Sequence, residues 1–389
     1  MKSTLVVFCP LYPPSVGGLQ NHAEQWNREM VKLGHDVTVF TPRVAGGSHR
    51  EVTLEGVTIL RFPAFELIPN WPVPKIWRGS FWRSLRAIAV SSRQQAASTT
   101  IVVSRTRFFT TSLVALLFSR WRKLPWLHIE HGSDYVQLEN PALQMLAKLY
   151  DHTLGRLVLH SATKIVANSK ASAAFVKKLS GREAKVIYRG IDVEKIDQIR
   201  PAKIRTSPHP SPTLGEGDKW NITYAGRLID GKGVADLLQA FAKLVTSHRS
   251  PAPTLLIVGD GPQRAALERL VQRLSLADSV HFLGEKSWEE TIAVLKNSDV
   301  FVNPSYTEGL PSSVVEAVLC GCRVVATDVG GTREIPGVTL VPPRAPKQLA
   351  TSIDEILREP SSIATDAARQ QFSWTTSAQR YDQELTHIP

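Results

Sequence analysis

Cysteine is scarce in this sequence and badly placed for cross-linking: Cys9 stands alone, and Cys320 and Cys322 are separated by a single glycine. Three thiols so distributed build no disulfide framework, and the Cys-Gly-Cys pair lacks the partner ligands of a zinc site. A reducing, cytoplasmic compartment is expected. Long apolar runs are also missing. None approaches the ~18 uninterrupted apolar residues of a membrane-spanning helix, and the run at 5–8 is too short for the core of a signal peptide and reads as a buried first strand. The spaced glycine triplet of a dinucleotide-binding turn is absent, which argues against a dehydrogenase. No zinc-finger spacing, RNA-binding signature or helix-turn-helix pattern occurs, so nucleic acid is not expected as a partner.

Positive charge, in contrast, is abundant and concentrated in one half. Residues 1–200 hold 27 Lys and Arg against 14 Asp and Glu, a net of +13, whereas 201–389 hold 19 against 21, a net of −2. An anionic membrane surface or a phosphorylated substrate remains as a partner for the basic half. Within it, Trp71, Trp77 and Trp82 interleave with Lys75, Arg78, Arg83, Arg86 and Arg93 across 70–95, and Arg120-Trp121-Arg122-Lys123 follows. The mixture suits the headgroup region of an anionic bilayer. An ordinary amphipathic helix, aromatics in the core and cations in water, fits it as well.

A chain of 389 residues exceeds what one hydrophobic core organises, so two domains are expected. Short β-branched runs alternate with helical patterns, which argues for an α/β protein with two doubly wound parallel sheets. Strands are expected at 5–8, 37–41, 101–104, 126–130, 164–167 and 185–188 in a first sheet, and at 221–225, 254–258, 280–283, 300–303, 323–327 and 339–341 in a second. Ala23, Trp26, Met30 and Leu33 stand at helical spacing and predict a helix over 21–33 ending before Gly34. The stretch 201–218, rich in proline and poor in large apolar residues, reads as a linker or loop. The expected division is 1–195, to which a C-terminal helix over 374–389 returns, and 196–373. In doubly wound sheets ligands sit at the carboxyl ends of strands, so the site is expected in a cleft between the two.

Three segments carry chemistry. In TEGLPSSVVE, Glu308 precedes a Gly309-Leu310-Pro311 turn and Glu316 falls inside the following apolar helix, expected over 311–320 and stopped by Gly321. On one helix the acids would be separated by roughly 12 Å at about 1.5 Å per residue; the turn places Glu308 in a loop instead. The helix opens on Ser312 and Ser313, whose amide end attracts phosphate. In YAGRLIDGKG, Arg227 and Lys232 lie on a glycine-lined strand-to-helix loop, the makings of a diphosphate clamp. Gly17 and Gly18 stand between the first strand and first helix and let backbone amides approach an anion. A ligand with a diphosphate between a sugar and a ribose would use all of these at once; from spacing alone a loop acid and a helix-capping acid fit the two glutamates better, and a solvated surface loop fits the Arg227 and Lys232 segment as well. His131 ends a strand and is expected near ligand, or else as a buried structural histidine; His22, on the first helix, reads as a surface residue.

Taken in order, PPSVGGLQNHA, VANSK, VIYRGID, YAGRLIDGKG, LLIVGDGP, VHFLGE, NPSYTEGLPSSVVEAVLCG and DVGGTRE resemble the retaining GT-B glycosyltransferases of family 4 along nearly the whole chain. The resemblance implies transfer of a hexose from a UDP- or GDP-sugar to an acceptor hydroxyl on a lipid-linked or polysaccharide glycan, with an N-terminal acceptor domain and a C-terminal donor domain. It implies Glu316 on the ribose, Glu308 on the donor sugar, Arg227 and Lys232 on the diphosphate aided by Gly17 and Gly18, and His131 beside the sugar. No metal or other cofactor is implied, because cations and a helix N-terminus stabilise the leaving diphosphate. By the same resemblance 280–284 lends backbone to the nucleobase and Gly330-Gly331 borders the sugar pocket. The turn YRGID departs from the family's usual Pro-Asn-Gly-Val-Asp. An epimerase of the same fold and a non-catalytic sugar-nucleotide-binding protein are the alternatives; the latter would have lost the acids and cations that are present here.

Overall fold

The structure is a computed structural model that describes residues 2–15, 17–43, 48–68, 71–94, 99–136, 140–202, 220–246, 253–358 and 364–388. The expected linker at 201–218 lies almost wholly outside them. The chain forms two compact units: Met1–Gly190 with Trp374–Pro389, and Ile191–Ser373. The expected border at 195/196 thus moves to 190/191. Gly190 lies so close to Trp374 that a Cβ would stand 2.3 Å from its ring, which ties this turn to the first unit, whereas Ile191 donates from its amide to the Phe372 carbonyl at 2.6 Å in the second.

The first unit opens with β1 (Ser3–Phe8), α1 (Gly18–Lys32), β2 (Asp36–Pro42), β3 (Arg50–Val52), β4 (Thr58–Phe62), β5 (Ala64–Ile68) and β6 (Trp71–Pro74). It continues with α2 (Gly79–Gln94), β7 (Thr99–Arg105), α3 (Thr110–Arg122), β8 (Trp126–Glu130), α4 (Pro141–Tyr150), a π turn at Asp151–Gly155, α5 (Arg156–Ser161), β9 (Lys164–Ala167), α6 (Lys170–Ser180) and β10 (Lys185–Val186). Eight strands form one sheet in the order β10-β9-β8-β7-β1-β2-β4-β3, parallel except for β3; β5 and β6 make a separate hairpin. Every residue of β1 and of β8 is buried, as a parallel sheet covered on both faces requires.

The two faces have different covers. Ala23, Trp26 and Met30 of α1 pack on one face together with Trp374, Ala378 and Tyr381 of the C-terminal helix (Trp374–Thr386). On the other, Phe81, Leu85 and Ile88 of α2, Leu116 and Phe118 of α3, Val158 and Leu159 of α5 and Phe175 of α6 share a second core. Caps fix helix starts where the sequence supplies them: Asn140 accepts from the amides of Ala142 and Leu143 ahead of α4, and Ser169 accepts from Ser172 N ahead of α6.

The second unit holds α7 (Val193–Gln198), β11 (Asn221–Ala225), α8 (Val234–Thr246), β12 (Thr254–Val258), α9 (Arg264–Arg273), β13 (Val280–Gly284) and α10 (Trp288–Leu295). β14 (Val300–Asn303), α11 (Ser312–Leu319), β15 (Arg323–Thr327), β16 (Val338–Val341), α12 (Pro346–Arg358) and α13 (Thr365–Phe372) follow, and the C-terminal helix becomes α14. Six parallel strands run β13-β12-β11-β14-β15-β16.

Several expectations shift. The last strand of the first sheet is only Lys185–Val186, not 185–188. β3 to β6 were not anticipated. α11 spans Ser312–Leu319, with Pro311 as its extended N-cap rather than its first helical residue. The segment 70–95 is not one amphipathic helix: Trp71 belongs to β6 and stacks on Phe108 at 4.7 Å, and α2 begins only at Gly79.

Candidate functional site

Strand order reverses between β11 and β14 in the second sheet, which opens a crevice at their carboxyl ends. The two expected donor segments leave the sheet from these two strands. After β11, the Tyr224 hydroxyl donates back to the Arg227 carbonyl at 3.0 Å, and the Leu228 amide donates to Asp260 O at 2.9 Å. Gly259 has φ +126, and a Cβ there would lie 2.0 Å from Gly226 O. Gly259 therefore relieves crowding against the Arg227 loop, the structural reason for VGDG.

The loop after β14 closes on the loop after β11. Tyr306 N donates to Gly231 O at 2.9 Å, and Gly233, at φ +64, lies where a Cβ would come 2.1 Å from Pro304 O. This approach brings Lys232 and Glu308 together, Nζ to Oε1 2.6 Å, with Asn303 Nδ2 donating to the same carboxylate oxygen at 3.4 Å. Burial pushes the Tyr224 phenol up, the Glu308 carboxylate adds to the rise and the Arg227 guanidinium opposes it. Arg227 is exposed, and among the described residues its guanidinium has no hydrogen bond or ion pair.

From Glu308 the chain runs through Gly309, whose carbonyl accepts from Gly331 N at 2.7 Å, and buried Leu310 into α11. Pro311 has no side-chain acceptor to cap the helix, which begins at Ser312 and Ser313. Ser312 and Glu316, four apart, share a helix face, and Glu316 Oε1 accepts from Trp288 Nε1 of α10 at 3.0 Å. Lys232 and Glu308 thus meet beside one strand reversal, with Arg227 on the same loop as Lys232 and α11 following Glu308 in the chain; Glu316 is engaged with α10.

In the first unit the reversal falls between β1 and β7. Gly17 is the N-cap of α1 and Gly18 its first residue; a Cβ on Gly17 would lie 2.6 Å from Gln20 Oε1. His131 follows β8. Its ring meets His22 edge-on at 4.9 Å between centroids, and Asn168 Nδ2 lies 3.5 Å from its Nδ1. His22 is buried, contrary to its expected place at the surface, because α14 covers α1: the His22 ring also lies 5.5 Å from that of Trp374. The Arg105 guanidinium, wholly buried, donates to His22 Nδ1 at 3.0 Å and covers the Trp26 ring at 4.9 Å. Burial, with Arg105 adding to it, lowers His131 to about 3, so its imidazole is neutral at physiological pH.

Sequence reasoning missed what holds the His131 loop. Glu130 Oε1 accepts from the amides of His131 at 3.0 Å and Gly132 at 2.8 Å, and Arg107 ties Glu130 to Asp151 of the π turn at 3.2 and 2.9 Å. All three side chains are at most 1% exposed. The one available signal was an acid placed at the end of an otherwise apolar strand.

Two α/β units, each with a mainly parallel sheet and a reversal of strand order, are the parts of which GT-B glycosyltransferases are built. Glycosyltransferase Family 4 matches residues 16–195 and Glycosyl transferases group 1 matches 210–373, so the chain belongs to the family 4 glycosyltransferases of GT-B fold and is a glycosyltransferase. An uncharacterized glycosyltransferase of Methanocaldococcus jannaschii is 29% identical over 98% of this chain and 97% of its own. The phosphatidylinositol N-acetylglucosaminyltransferase gpi3 subunit of Schizosaccharomyces pombe is 23% identical over 96% and 78%. Among solved structures, sucrose-phosphate synthase of Thermosynechococcus elongatus superposes with a TM-score of 0.75 at 21% identity, covering 99% of this chain and 98% of that one. Anabaena Alr3699/HepE in complex with UDP gives 0.71 at 20%, with both chains wholly covered.

Proposed function

We propose that this chain moves a hexose from a nucleoside diphosphate sugar to an acceptor hydroxyl with retention of anomeric configuration, without a metal ion. The observation that carries the reading is the Lys232–Glu308 pair at 2.6 Å, a cation and an acid delivered from opposite sides of one strand reversal with Arg227 close by. Arg227 and Lys232 take the diphosphate together with the amide end of α11, Glu308 grips the donor sugar and Glu316 the ribose. The bond from the anomeric carbon to the diphosphate breaks, a new bond to the acceptor oxygen forms on the same face, and the departing phosphate oxygen takes the acceptor proton. Fixed cations stabilise the charge that develops on the diphosphate. His131, held neutral, and the Gly17–Gly18 turn serve as further donor contacts.

The UDP complexes of Anabaena Alr3699/HepE support a nucleotide-sugar donor, with UDP-sugars first and GDP-sugars second. The Schizosaccharomyces pombe relative, a phosphatidylinositol N-acetylglucosaminyltransferase subunit, supports a lipid-linked acceptor, and a polysaccharide glycan is the other class to try. The activity belongs on the cytoplasmic side, where nucleotide sugars are made. A screen of UDP- and GDP-sugars for hydrolysis, with and without acceptors and in EDTA, tests the reading. One donor should turn over, activity should survive the chelator, and NMR of the product should show the donor's own anomer. Turnover abolished by EDTA and restored only by Mn²⁺ or Mg²⁺ contradicts the metal-free step, and no turnover of any nucleotide sugar contradicts the donor class.

A further inference from the structure

No helix among the described residues is long and apolar enough to cross a membrane, yet one flank of the first unit keeps an unusual amount of apolar surface in water. Trp82 of α2, Leu117 and Trp121 of α3, and Met145, Leu146 and Leu149 of α4 are 50–73% exposed. These helices are neighbours. Arg122 Nη1 of α3 donates to the Ala89 carbonyl of α2 at 2.8 Å, and Arg120 Nη2 donates to Ser161 Oγ of α5 at 3.2 Å, so α3 lies between α2 and α5. The three turn their inner sides to one core, and α4 runs into α5 through a single π turn with helical backbone angles at both joints. The outer sides of α2, α3 and α5 therefore adjoin, and α4 continues this layer beyond the start of α3, where the Tyr150 ring meets that of Phe108 at 5.5 Å.

Charge selects what covers it. The sequences of α2, α3, α4 and α5 contain no Asp or Glu at all. The one acid of the π turn, Asp151, is buried against Arg107. Arg83, Arg86, Arg120, Lys148 and Arg156 stand exposed among the apolar groups. Tryptophan rings and leucines at the level of cationic side chains, with no acid to repel phosphate, match the boundary of an anionic bilayer, where long basic side chains reach the headgroups while apolar neighbours enter the acyl region.

We propose that the first unit docks on an anionic phospholipid bilayer through the outer surface of α2 to α5. The surface differs from the Trp-rich stretch the sequence singles out: Trp71 is turned inward, while α4, which that stretch does not include, supplies half of the exposed apolar groups named above. The proposal deepens the glycosyltransfer reading by giving a membrane-borne acceptor its surface, and rests on that reading only for the acceptor.

The test is co-sedimentation of the full chain with vesicles of phosphatidylcholine alone or with phosphatidylglycerol, at about 0.05 M and about 0.5 M salt. Binding should favour the anionic vesicles and weaken at high salt. Arg83→Glu, Arg86→Glu and Lys148→Glu combined should weaken it at least tenfold, as should Leu117→Ser with Leu149→Ser, both with donor hydrolysis in solution unchanged. Equal binding by wild type and both variants, or none by wild type, overturns the proposal. Concentration-dependent dimerisation by light scattering, abolished by the same variants without vesicle binding, overturns it in favour of a second copy. Loss of donor hydrolysis with vesicle binding intact would strike the catalytic reading alone.

Discussion

At the scale of single residues, Arg227 and Lys232 are in different states before any ligand arrives. Lys232 is already paired with Glu308, so a diphosphate must share or replace a contact there. Arg227, exposed and without a hydrogen-bond or ion-pair partner among the described residues, gives up little. Its fork can hold two phosphate oxygens at once. Arg227→Ala should therefore cost about 2–4 kcal/mol of donor or transition-state binding, a fall of roughly 30- to 1000-fold in kcat/KM. Arg227→Lys should recover only part of it, because a point charge loses the second contact. Steady-state kinetics within a few fold of wild type for the alanine variant would remove the clamp from the mechanism.

At the scale of elements, the site depends on how closely two loops approach, and glycine sets that distance. Gly233 combines a left-handed backbone with a neighbouring carbonyl that a Cβ would meet at 2.1 Å, whereas Gly231, two residues earlier, has nothing within 4 Å of such a Cβ. Gly233→Ala should lower stability by about 1–3 kcal/mol and separate Lys232 from Glu308, reducing turnover as well. Gly231→Ala should leave both nearly unchanged; equal effects in urea melts and kinetics would show that the approach of the loops does not matter. This local chemistry was open to reading because each strand, glycine loop and helix start is contiguous in sequence. The Glu130–Arg107–Asp151 network was not, since its members are 23 and 44 residues apart and a lone acid at a strand end has many meanings. The burial of His22 was equally hidden, because its cover arrives with Trp374 at the far end of the chain. Pro311 misled by one position: its ring fits an N-cap in extended conformation as readily as a first helical residue.

At the scale of the whole molecule, the two units should respond differently to acid. In the first, burial followed by neighbouring positive groups lowers His22 well below its usual range and His131 to about 3. Both stay neutral in the fold but take up protons in the unfolded chain below pH ~6.5. The unfolded state then binds more protons, so stability falls as pH drops from about 6.5 toward 3. Glu130 adds a loss of the same sign from the opposite cause: burial would raise it, but Arg107, His128 and the Gly132 amide outweigh burial and hold it well below the carboxylate range, so its contribution disappears as acid protonates it. The lowered carboxylates of the second unit, Asp197, Asp260, Glu289 and Glu290, lie at or near the surface, where solvent screens them. Seven of the nine tryptophans belong to the first unit and only Trp220 and Trp288 to the second, so tryptophan emission mainly follows the unit expected to fail first. Thermal melts recorded by emission from pH ~7.5 to ~4.5 should show its midpoint falling steadily. His131→Gln, which removes one of the titrating groups, should flatten the slope below pH ~6.5. A midpoint that does not move across this window would mean that the buried histidines take up protons in the fold as readily as in the unfolded chain.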